Sequence, residues 1–153
     1  MIPNLVDIGG PWKVLPVGIH SAALSEIRVR FATNSHRTKL FTGFADGVAA
    51  LRRAGCTSIY LDGSYVTDKA IPGDFDACWS PEGVSVSALD PVFLELSHPR
   101  TAQKTRFHGE FFPSSFIADG VNPFIDFFQV DRHRGEPKGI IHVRFGRSLE
   151  QIQ

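Results

Sequence analysis

Gly63-Ser64 and, after nine intervening residues, Asp74-x-Asp76 are the residues of this chain whose types and spacing fit chemistry. Strand side chains alternate between faces, so Asp74 and Asp76, at the start of a strand-like stretch, are expected to point to one side. Two hard oxygen ligands converging there suit Mg²⁺, with Mn²⁺ as a second fitting ion, better than zinc or copper. A Gly-Ser turn leading out of a strand frees backbone N–H groups that can cradle a phosphate. Glycine lets the phosphate approach closely, and the Ser64 hydroxyl adds a donor. Carboxylates and phosphate cradle together fit metal-assisted in-line displacement at phosphorus, which needs positioning and charge neutralisation more than a protein nucleophile.

The elements that must position these residues are legible as patterns. Residues 1–20 hold three prolines and three glycines without helical or strand period and read as an extended lead-in, with residues 21–153 as the domain proper. Ala22 to Phe31 reads as a first helix with Ser21 as N-cap. Asn34 or Ser35 then caps a stronger helix, whose Leu40, Phe41, Phe44, Val48 and Leu51 recur at the three-and-four spacing of a buried face and which Gly55 ends. Thr57 to Asp62 reads as a strand. Asp74 to Ser80 reads as a second, antiparallel to it because the connection is too short for a helical crossover.

Further along, Asp90-Pro91 announces a helix to about Ser97. Helical residues from Pro99 to Thr105, a strand from Phe107 to Phe112, a short helix from Phe124 to Val130 and a last strand from Gly139 to Phe145 follow. The order is mixed, so the expected fold is α+β, a small mixed sheet with helices packed on it.

The 153 residues allow one domain with its own core. No stretch approaches the roughly 20 apolar residues of a membrane helix and no secretory signal is visible, so a cytoplasmic protein without membrane partners is expected. Cys56 and Cys78 lack zinc spacing and read as reduced core thiols. The six histidines show no His-x-x-His pattern, which speaks against zinc. His142 falls on the opposite face of the last strand from Ile141 and Val143. Net charge is zero, so charge-driven binding must be local. Basic residues gather at His98, Arg100, Lys104, Arg106 and His108, and again at Arg132, His133, Arg134 and Lys138, as a site for a polyphosphate tail or as solvated surface.

The pattern Gly-Ser, about nine residues, then Asp-x-Asp, set between a strand and its antiparallel neighbour after a helix, resembles the minimal nucleotidyltransferases of the DNA polymerase beta superfamily. More narrowly, Tyr60 to Lys69 through Pro72 to Asp76, with Phe127-Phe128-Gln129 and Pro137-Lys138-Gly139-Ile140, is similar to small bacterial nucleotidyltransferase-like proteins, some of them associated with toxin-antitoxin or phage-defence loci. The narrower resemblance covers roughly residues 18–145. It implies that Gly63 and Ser64 bind phosphate and that Asp74 and Asp76 bind metal. It also implies a third carboxylate on a later strand, for which Glu110 is the candidate and Asp119 or Asp126 the alternatives. That position is usually aspartate. Lys69, Lys104 and Lys138 are candidate phosphate contacts.

The expectation is a Mg²⁺-dependent transferase moving a nucleoside monophosphate from an NTP to a hydroxyl of RNA or protein, with a cognate partner protein or a homodimer completing the cleft. A nucleotide- or partner-binding module with weak catalysis is the alternative, favoured by the glutamate at the third position. A sugar transferase would use the Asp-x-Asp but leave the Gly-Ser pair unexplained.

Overall fold

The computed structural model describes residues 1–145, so the end of the domain expected over 21–153 lies partly outside the described residues. Its longest helix is the one the apolar stripe demands, Ser35–Arg53 (α2). Asn34 caps it, its side-chain oxygen accepting from the Arg37 N–H at 2.8 Å. Gly55, at φ +101°, turns the chain away just past its end.

Five strands form one sheet among the described residues: Gly18–Ala22 (β1), Ile59–Asp62 (β2), Phe75–Trp79 (β3), Gly109–Pro113 (β4) and Gly139–Val143 (β5), in the order β1-β5-β2-β3-β4. β2 runs antiparallel to β3 and β5, while β1 pairs with β5 and β3 with β4 in parallel. With the helices Leu24–Phe31 (α1), Thr101–Phe107 (α3) and Phe124–Phe127 (α4), the architecture is a mixed α+β fold.

The two sheet faces carry different side chains because strand residues alternate. Ile59, Leu61, Phe75, Ala77, Trp79, Phe111, Ile141 and Val143 point into the main core, which the helical residues Ile27, Phe31, Leu40, Phe44, Val48, Leu51 and Phe107 complete. Phe44, Phe75, Phe93, Phe107 and Phe111 form a ring-on-ring cluster there, each burial contributing about 2 kcal/mol. A Cβ on Gly43 of α2 would lie 1.8 Å from the Phe107 carbonyl oxygen, so only glycine lets α2 pack this close to the end of α3. The opposite face bears Tyr60, Cys78, Phe112 and Ile140, covered by Phe124, Ile125, Phe127 and Phe128 around α4. His142 is half-buried between fully buried Ile141 and Val143.

The first helix is shorter than the pattern implied. Gly18–Ala22 is an edge strand with Ile19 and Ser21 exposed, so Ser21 is not a cap. α1 begins at Leu24, where the Glu26 carboxylate accepts from the Ala23 N–H at 3.2 Å. Pairing with β5 satisfies the backbone of a stretch whose side chains carry little apolar signal. The helix expected from Asp90 to Ser97 is one 3-10 turn, Pro91–Leu94. Asp90 caps it as expected, at 3.0 Å from the Val92 N–H, but Glu95 instead accepts from Ala102 at the head of α3. The helix opening at Asn122-Pro123 stops at Phe127 because Val130 bridges to Pro137.

Candidate metal and phosphate site

Three acidic residues stand side by side on the α4 face of the sheet, because Asp62 pairs with Asp76 across β2 and β3 and Asp76 with Glu110 across β3 and β4. Asp74 lies just ahead of β3 rather than within it. Carboxylate oxygens of Asp74, Asp76 and Glu110 lie within 4.8 Å of one another. Gly63 follows β2 at φ +84°, and a Cβ on it would sit 2.8 Å from Asp76 Oδ2. Glycine there permits both the left-handed turn and its contact with the acid.

Above these acids opens a cleft of about 850 Å³, large enough for a nucleotide. It is lined by Gly63, Ser64, Asp74, Asp76 and Glu110, and also by Lys69, Lys104 and Lys138. The two basic clusters both reach it, His98, Arg100 and Lys104 from one and Arg132, His133 and Lys138 from the other. Arg106 pairs instead with Asp90, and Arg134 with Glu136. Phe112, Phe124, Phe127 and Phe128 form an aromatic end to the cleft, with Phe112 and Phe124 stacked at 4.1 Å.

The carboxylates repel one another in a poorly solvated place. Burial pushes Asp76 up to about 7, and the charges of Asp74, Asp62 and Glu110 add to it. Burial and Glu110 likewise raise Asp74. A divalent cation would relieve this repulsion, and the donor set of three convergent carboxylates is the hard-oxygen type that Mg²⁺ takes. In that respect the residues fit the metal.

Not every candidate is free for a ligand. Lys138 is buried, and its ammonium meets Asp62 and donates to the Phe128 carbonyl at 2.8 Å. Burial raises the Asp62 carboxyl against the downward pull of that ammonium. Lys138 therefore neutralises the β2 acid at the cleft floor, and the phosphate contact expected of it gives way to that ion pair. Lys69 lays its ammonium 4.9 Å from the centre of the Trp12 ring. Glu110 meets Arg100 and lies 3.7 Å from the Lys104 ammonium. Asp119 binds Asn122 within its own turn and Asp126 is exposed on α4; neither lines the cleft, so neither replaces Glu110.

Sequence reasoning passed over two residues here. Arg37 is buried and donates to four backbone carbonyls, those of Phe31, Tyr65, Thr67 and Lys69, at 2.6–3.1 Å. The Tyr65 hydroxyl donates in return to the Arg37 carbonyl at 2.9 Å. This clamp shapes the loop after Gly63-Ser64. Its signal was present, since Arg37 falls three and four residues before Leu40 and Phe41 on the buried stripe of α2. Trp12 arrives from the lead-in, which Asp68 ties down by accepting from the Lys13 N–H at 2.8 Å; no local pattern marks it.

No helix among the described residues is long and apolar enough to cross a membrane. No curated protein and no solved structure matches this chain. A family of unknown function, DUF6932, matches residues 11–144, which hold every side chain of the acidic cluster and its cleft, and the chain belongs to that family.

Proposed function

We propose that this protein is a metal-dependent nucleotidyltransferase that transfers a nucleoside monophosphate from an NTP to an acceptor hydroxyl, releasing pyrophosphate. One observation carries the reading: Asp74, Asp76 and Glu110 converge at the floor of the cleft that also presents Gly63-Ser64. Those three carboxylates would hold Mg²⁺, which when bound supplies charge neutralisation for the triphosphate and the departing pyrophosphate. Gly63 and Ser64 bind the phosphates, with Lys69, Lys104 and Arg132 at the cleft wall as their counter-charges. The aromatic end around Phe124 and Phe127 takes the base, excludes water from it and so orients the nucleotide with its phosphates toward the acids.

The test is incubation with each of the four NTPs and Mg²⁺, scoring pyrophosphate and label transfer to RNA or protein. Asp74→Ala and Asp76→Ala should abolish both signals while the protein stays folded. Full activity in both variants would refute the mechanism.

The pairing of Glu110 with Arg100 and Lys104 favours a second reading, a nucleotide-binding module without turnover. Metal-dependent NTP binding with no pyrophosphate release would select it.

A further inference from the structure

A second concavity, of about 300 Å³, is lined by His36, Lys39, Leu40, Gly73, Asp74, Lys104 and His108. Asp74 and Lys104 line both spaces, so the two meet at the acidic cluster. Four of its seven lining residues are lysine or histidine, and its single acid is the candidate metal ligand. They come from separate elements: His36 and Lys39 from the first turns of α2, Lys104 from α3, and His108 from the residue that ends it. His108 holds a left-handed backbone, φ +63°, between α3 and β4. His36 is anchored, its Nε2 bonded to the Pro72 carbonyl. Among the described residues neither Lys39 nor His108 has an ion-pair partner.

We propose that this concavity binds the phosphodiester backbone of a single-stranded polynucleotide, whose terminal hydroxyl it delivers to the acidic cluster. The proposal rests on the nucleotidyltransferase reading and names its acceptor. A serine, threonine or tyrosine hydroxyl brings no charge that would call for a basic channel. A nucleic-acid strand brings a phosphate beside the reacting sugar, which the Lys39 ammonium matches in sign and the His108 ring can meet as a hydrogen-bond donor. In the transfer, the acceptor hydroxyl oxygen bonds to the α-phosphorus, the bond from that phosphorus to the bridging oxygen breaks, and pyrophosphate leaves with those electrons. The hydroxyl proton passes to a carboxylate of the cluster or to solvent.

Lys39 and His108 lie outside the metal and triphosphate residues and are the positions to change. Lys39→Glu is an exposed substitution, and His108→Asn keeps a residue that tolerates the left-handed backbone. Fluorescence anisotropy of labelled single-stranded RNA and of DNA with the same sequence reads acceptor binding. Calorimetry with Mg²⁺ and ATP reads the cleft, and circular dichroism checks the fold. The double variant should bind the strand at least about tenfold more weakly, with the slope of log affinity on log salt smaller by about 0.7 for the Lys39 charge lost. Its ATP binding should match the wild type, and RNA against DNA affinity tells which strand fits.

Absence of strand binding by the wild type, or equal strand binding by the double variant, would overturn the proposal. Label transferred only to protein would do the same. If strands bind through Lys39 and His108 but ATP does not bind the cleft, the polynucleotide site stands and the transferase reading falls.

Discussion

Gly63 and Asp76 touch across β2 and β3 so closely that a methyl group on Gly63 would lie 2.8 Å from the Asp76 carboxylate and 3.1 Å from its backbone nitrogen. The Gly63-Ser64 turn and the Asp76 carboxylate are therefore one mechanical unit. Gly63→Ala should lower stability by about 1–3 kcal/mol through its backbone alone, because φ +84° with ψ −171° is a conformation essentially only glycine adopts. It should also displace Asp76, cutting the Mg²⁺-induced rise in melting temperature well beyond what that loss explains. Scanning calorimetry with and without Mg²⁺ checks both, and an unchanged metal response would separate turn from acid.

The raised Asp76 carboxyl ties stability to pH with a definite sign. In the folded chain it keeps its proton up to about 7, whereas an unfolded aspartate loses it near 3.9, so the folded state holds the extra proton between the two values. Metal-free stability should fall as pH rises through that window, by a few kcal/mol in all, and level off above it. Asp76→Asn should flatten the fall and be the more stable protein at about pH 8. Urea titrations from about pH 5 to about pH 8 measure this, and the same fall in Asp76→Asn would refute it.

Lys138 and Asp62 predict a different pattern. Removing one partner of a buried pair strands the other charge, so Lys138→Met should cost about 3–5 kcal/mol. The double variant Asp62→Asn/Lys138→Met should recover much of that loss. If Lys138→Met instead left stability intact while weakening nucleotide binding, the lysine would serve the ligand rather than Asp62.

Arg37→Met should release the Tyr65, Thr67 and Lys69 carbonyls from their clamp. Each charge-assisted bond contributes about 1.5–3 kcal/mol, so the total loss should exceed about 3 kcal/mol. Protease cleavage should appear first in residues 64–70, and cleavage elsewhere would place the weak point outside this loop.

The sequence made most of the fold legible where the signal is local. The α2 stripe, its Asn34 cap, the Gly55 exit and the antiparallel step from β2 to β3 all follow from neighbouring residues. β1 was missed because its identity depends on β5, more than a hundred residues away. The motif acids were legible from spacing, and the long strand-order reach that brings Glu110 beside Asp76 came only as an implication of resemblance. Who neutralises whom was not legible at all: that Lys138 meets Asp62, and Arg100 meets Glu110, depends on side-chain packing across the sheet.

β5 lies between β1 and β2, although it is the last described strand along the chain. On a ribosome, where the chain emerges from its amino end, β2, β3 and β4 and all the cleft acids exist before the strand that joins them to β1. Until β5 docks, β1 has no neighbour and Asp62 has no counter-ion. The sheet and the charge balance of the cleft are thus completed by one late segment, Lys138 and the strand that follows it.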